Sequence, residues 1–110
     1  MTNSVLYEER GNICLITLNR EDTRNSLGPE IIEDLVKTLE DVDNNQNISC
    51  AILTGAGKSF SSGGNLQEIN DMTEDNKMSL RDIENWYRNG IQKIPTTFNK
   101  IDVPVIAAVN

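Results

Sequence analysis

The stretch AILTGAGKSFSSGGNLQEI, residues 51–69, passes from an apolar run through four glycines and three serines into a helical pattern. It invites a phosphate-loop reading at GAGKS, and the residues refuse it. A phosphate loop needs a glycine five residues before Gly57, where Ile52 stands, and a helix opening at Lys58-Ser59; instead Phe60, Ser61, Ser62 and two more glycines follow. A dinucleotide fingerprint fails as well, since Gly55 and Gly57 would require a third glycine at Phe60. The glycines divide better into two pairs. Gly55 and Gly57 let the chain leave a strand through a turn with positive φ. Gly63 and Gly64 precede Asn65, a helix cap, with Glu68 three residues on to reach back. Two residues without side chains ahead of a helix start leave main-chain N–H groups open to an incoming anion or oxyanion. The same spacing also serves a strand-to-helix connection with nothing bound.

Outward from this stretch the chain alternates strands and helices. Val5–Glu8 and Ile13–Leu18 read as a hairpin joined at Arg10-Gly11-Asn12. A helix then starts with Gly28 as N-cap, Pro29 in the first position and Glu30 at the positive end of the dipole. Ile31, Leu35, Leu39 and Val42 give it one apolar stripe, widened by Ile32 and Val36, and DNNQ at residues 43–46 ends it. Cys50–Leu53 is a short apolar strand. Strand, helix and strand in this order predict a right-handed βαβ unit and a parallel sheet.

Beyond Ile69, residues 70–79 are polar and predict a surface loop. A second helical pattern carries Leu80, Ile83, Trp86 or Tyr87, and Ile91 or Ile94, with Pro95 expected to break or kink it. The aromatic pair is expected to pack in the core, and Lys58 to face solvent. Val103–Val109 has the composition of a strand inside a parallel sheet, yet only Asn110 follows. A native terminus is usually polar, so residues 1–110 are expected to be the front part of a longer protein.

Composition narrows the function. The chain has 110 residues, a formal net charge of −7 and no histidine. Without histidine, Ser-His or Cys-His nucleophile pairs and His-based zinc sites are excluded from it. The negative charge opposes nonspecific binding to nucleic acid or anionic lipid. No run reaches the ~18 apolar residues of a membrane span, and the N-terminus lacks the pattern of a secretory signal, so a cytoplasmic location is expected. Cys14 and Cys50 lie in strand-like runs and read as small buried thiols, with no metal site.

Three segments in order, LITLNREDTRNSL, AILTGAGKSFSSGGNLQEI and PVIAAVN, resemble the crotonase superfamily of enoyl-CoA hydratases and isomerases. The likeness extends over essentially the whole chain. It implies an α/β fold of ββαβ-type repeats, here the N-terminal and incomplete part of the spiral fold. It also implies chemistry on acyl-CoA thioesters through an enolate held by two backbone N–H donors, with coenzyme A as part of the substrate and no separate cofactor. Carried onto this sequence, the Gly64 amide is the first donor. Ser62 and Leu66 border the adenine end of coenzyme A, Gly63 and Asn65 are further substrate or coenzyme A contacts, and the loop of Arg24, Asn25 and Ser26 borders the pantetheine and phosphates. Arg24 becomes a phosphate partner and Ser26 a further contact. Family members commonly form trimers or dimers of trimers, which implies a homotrimer or hexamer for the complete protein.

Two positions depart from the pattern: Asn65 stands where aspartate is common, and Glu21 where proline is frequent. In the family PVIAAVN leads into the second donor and the proton-transferring glutamates, so Glu68, Asp71 and Glu84 are read as surface carboxylates and none as a general base. Hydration of a 2-enoyl-CoA is the leading expectation for the complete protein. A non-catalytic acyl-CoA binder or interaction fragment is the alternative, and a nucleotide site at GAGKS the third.

Overall fold

The computed structural model describes residues 3–73 and 78–110. Strand β1 (Val5–Arg10) turns through Gly11, at φ +64°, into β2 (Ile13–Leu18), and the two pair antiparallel with Val5 opposite Leu18. Helix α1 (Pro29–Asp43) returns the chain to β3 (Cys50–Gly55), which lies parallel to β2 with Leu18 beside Gly55. Strand β4 (Val105–Ala108) adds in parallel to β3, so the sheet order is β1-β2-β3-β4. This is the expected βαβ unit with a hairpin in front.

The core lies between one face of the sheet and α1. Alternation in β2 sends Cys14, Ile16 and Leu18 inward, where they join Ala51 and Leu53 of β3 and Ile48 just ahead of it. Helix α1 answers with Ile31, Ile32, Leu35, Leu39 and Val42, all 6% exposed or less. Each such side chain contributes about 1.5–3 kcal/mol by leaving water. Gly28 and Pro29 start the helix as anticipated, and the helix runs one residue into the expected loop before ending after Asp43. Asp43 then accepts hydrogen bonds from the Asp102 and Val103 amides at 2.8 and 3.1 Å, setting the approach to β4.

The second half departs from the sequence reading. Helix α2 (Leu66–Thr73) occupies the start of the expected polar loop, whose residues 74–77 lie outside the described ones. The single helix expected after it is two, α3 (Leu80–Asn89) and α4 (Lys93–Lys100). The break falls at Gly90, where an added Cβ would meet the Trp86 carbonyl oxygen at 2.7 Å. Pro95 breaks nothing, because it sits in the first turn of α4, where an N–H would lack an intrahelical acceptor anyway. Trp86 and Tyr87 meet edge to face with centroids 5.0 Å apart, but α3 has no buried residue, so the pair is not core. The strand expected over 103–109 shortens to β4 and, with β1, forms an edge of the sheet among the described residues.

Candidate active site

Parallel strands deliver their connecting loops to one edge, beyond their carboxyl ends. Here three segments converge there. After Leu18 the first loop makes a 3-10 turn over Glu21–Thr23, and Arg24 and Asn25 follow at φ +55° and +56°. Asparagine tolerates this left-handed region better than most residues, and the fold uses its side chain fully. Asn25 is 0% exposed. Its Oδ1 accepts from the Arg20 amide at 2.6 Å, while Nδ2 donates to the carbonyls of Ala56 and Ser59 at 3.2 and 2.9 Å. The first loop is thus clamped to the one that leaves β3. From β4, Asn110 Nδ2 reaches the carbonyls of Gly55 and Gly57, both at 2.8 Å.

The second loop is pinned along its length. The Ser61 hydroxyl donates to the Asn25 carbonyl at 2.8 Å and accepts from the Gly63 amide at 3.1 Å. Ser62 donates its amide to the Arg24 carbonyl at 2.9 Å and its hydroxyl to the Thr23 carbonyl at 3.2 Å. Finally, the Leu27 amide donates to the Gly63 carbonyl at 2.7 Å. That carbonyl and the Gly64 N–H belong to one planar trans peptide and point in opposite directions. Fixing the first toward Leu27 therefore turns the second away from the loop. The Gly64 N–H donates to no acceptor among the described residues.

Helix α2 begins directly after it. The Asn65 side chain accepts from the Glu68 amide at 3.1 Å, so the cap forms with asparagine where the family often has aspartate. The reciprocal half of the capping box does not. Glu68 Oε2 is buried without a partner among the described residues, and Glu68 lines a cavity of about 630 Å³ with Pro29, Ile32 and Trp86, a lining that excludes Gly64. Glu68 is accordingly half-buried, with one carboxylate oxygen inside, whereas Asp71 and Glu84 are exposed and bonded to Gln67 and Arg88.

The glycine assignments also sharpen. Of the first pair only Gly57 has positive φ, +80°; Gly55 is required instead by the Ser59 and Phe60 carbonyl oxygens, 2.5 Å from where a Cβ would stand. Of the second pair only Gly63 does, at +92°. Lys58 is exposed, and no helix starts at GAGKS; the next one begins at Leu66.

A match to the enoyl-CoA hydratase/isomerase family spans residues 8–110. The chain belongs to that family. Among its relatives, the 1,2-epoxyphenylacetyl-CoA isomerase of Escherichia coli is 31% identical over 100% of this chain and 41% of its own length. The short-chain-enoyl-CoA hydratase of Clostridium acetobutylicum is 28% identical over 98% of this chain and 39% of its own. A crystal structure of an enoyl-CoA hydratase/carnithine racemase from Magnetospirillum magneticum superposes with a TM-score of 0.85 at 26% identity, covering 99% of this chain and 39% of that one. The fold is therefore crotonase-like, and this chain spans about two fifths of the curated relatives it matches.

Within that fold, the residues anticipated from the family likeness come together. Arg24, Ser26, Ser62, Gly63, Gly64 and Asn65 lie on two loops bonded to each other, and Leu66 follows, 80% exposed. The Arg24 guanidinium is exposed and has no acceptor among the described residues, while the Ser62 hydroxyl is already engaged inside the protein. Sequence reading missed the clamp at Asn25, the relay at Ser61 and the burial of one Glu68 carboxylate oxygen. A non-glycine residue suited to positive φ, ahead of a capped helix, was the one available signal for Asn25. Among the described residues no group of three His, Cys, Asp or Glu side chains is placed to hold a metal ion, and no helix is long and apolar enough to cross a membrane.

Proposed function

We propose that this chain provides one half of an oxyanion site for an acyl-CoA thioester, in a complete protein that hydrates a 2-enoyl-CoA. The observation that carries the reading is the Gly64 amide, unpartnered among the described residues and turned away from the loop that holds its peptide. When water adds at Cβ of the enoyl group, negative charge moves to the thioester oxygen; a proton then goes to Cα. A preorganised N–H donor stabilises that oxygen without reorganising, and one such donor is typically worth about 2.7–4 kcal/mol. The positive end of α2 adds to it.

Arg24 receives a phosphate of coenzyme A, with Ser26, Ser62, Gly63, Asn65 and Leu66 bordering the carrier. No general acid or base is assigned within this chain, because Asp71 and Glu84 are tied to surface neighbours and Gly64 is absent from the cavity lined by Glu68. Coenzyme A enters as part of the substrate, and the reading needs no further cofactor. A cytoplasmic homotrimer or hexamer is the proposed setting of the complete protein.

Calorimetric titration of the chain with a short 2-enoyl-CoA tests the reading, with ATP as the comparison. Saturable heat with the thioester and none with ATP supports it. Absence of heat at millimolar thioester contradicts it, and heat with ATP alone favours a nucleotide site.

A further inference from the structure

Two consecutive glycine amides stand ahead of α2, yet only one is open. Gly63 and Gly64 both lack a side chain, so sterics do not choose between them. The choice lies in the Ser61 hydroxyl. It donates to the Asn25 carbonyl at 2.8 Å, which fixes where its oxygen lies, and that oxygen accepts the Gly63 N–H at 3.1 Å. Asn25 is itself held by three hydrogen bonds in a site with no exposure, so the hydroxyl hangs from a rigid point. On the other side of Gly63 the Leu27 amide holds its carbonyl at 2.7 Å. The two successive peptide planes on either side of the Gly63 Cα are therefore each tied by one bond.

We propose that Ser61 is a positioning residue that occupies the Gly63 amide and thereby makes Gly64 the single donor of this turn. Without the hydroxyl, the Gly63 N–H is released and the turn at Gly63, at φ +92°, is tied on one side only, by the Leu27 amide on the Gly63 carbonyl. The Gly64 donor is then held less firmly in its direction. Ser61 touches no reacting atom in this account; its effect passes through Gly63. The functional consequence rests on the oxyanion reading of Gly64, whereas the selection between amides does not.

Hydrogen exchange of the two glycine amides, followed by nuclear magnetic resonance on the chain without ligand, separates the two. In the natural chain the Gly63 amide is protected and the Gly64 amide exchanges freely. In Ser61→Ala, Gly63 exchange rises about fivefold to tenfold, as loss of one hydrogen bond implies. Ser61→Thr, which keeps the hydroxyl, restores protection. With a bound 2-enoyl-CoA, the thioester carbonyl band broadens and moves back toward its free position in Ser61→Ala and recovers in Ser61→Thr. Equal exchange of Gly63 and Gly64 in the natural chain overturns the proposal, and so does unchanged Gly63 exchange in a folded Ser61→Ala variant. If Gly63 behaves as described while the natural chain binds no thioester, the acyl-CoA reading fails and the role of Ser61 stands.

Discussion

Leu27 and Gly64 are joined through a single peptide plane. The Leu27 amide holds the Gly63 carbonyl at 2.7 Å, and the rigid peptide turns the Gly64 N–H the other way. A donor aimed in this manner costs nothing to orient when charge develops nearby, which is the physical basis of backbone oxyanion sites. Everything that holds Leu27 and Gly63 in place consequently supports the proposed site, starting with Asn25.

Replacing Asn25 is expected to loosen both loops together. Asn25→Ala strands the carbonyls of Ala56 and Ser59 and the amide of Arg20, and places alanine at φ +56°. A loss of about 2–4 kcal/mol in urea unfolding is expected. Asn25→Asp is predicted to be at least as damaging, because a carboxylate oxygen would then face two carbonyls. Near-neutral unfolding of either variant would contradict the clamp.

Glu68 predicts an effect of opposite sign. Its Oε2 is buried without a partner among the described residues, so the fold keeps a polar atom at a cost. Glu68→Met keeps the length, removes that atom and leaves Asn65 to cap the Glu68 backbone amide as before. The variant is expected to be more stable by about 1 kcal/mol. A clear drop in its unfolding midpoint would mean that the carboxylate has a partner in solution.

Tyr7 contributes to the alkaline limb of stability, beside Cys14 and Lys37, whose pKa values are also raised in the fold. Partial burial of the phenol, followed by its 2.8 Å hydrogen bond to Glu9 and that carboxylate's charge, pushes its pKa from 10.0 up to about 12. The folded state thus holds this proton more tightly than the unfolded one. The stabilisation is complete below pH 10 and is lost as pH rises toward 12. Natural chain minus Tyr7→Phe should show that decline in unfolding free energy, and a difference independent of pH over this window would refute it.

Sequence carried the front of the fold and the two loops that carry the proposed site, and physics explains where it stopped. The stripe of α1, its Gly28-Pro29 start and the alternation of β2 are local patterns that tertiary packing reinforces. Pro95 misled because proline suits both the first turn of a helix and the end of one, and only packing decides which. Trp86 and Glu68 misled in opposite senses: an aromatic residue stayed outside the core and a carboxylate oxygen went in, and neither outcome is written in periodicity. The loops from β2 and β3 are more than thirty residues apart in sequence at Asn25 and Ser61, so their bonding was not legible from either segment alone. The family likeness placed Gly64; the reason its amide is open emerged only from the bonds around it.

The most direct test of the central claim is the infrared carbonyl band of an isotope-labelled 2-enoyl-CoA bound to the chain, compared across Gly64→Ala and Gly64→Pro. Alanine keeps the N–H, and its Cβ would lie 3.4 Å from Ile69 Cδ1, whereas proline removes the donor. A shift to lower frequency is expected in the natural chain and in Gly64→Ala, and its loss in a folded Gly64→Pro. An unshifted band in the natural chain, or the same shift with proline at position 64, would contradict the claim.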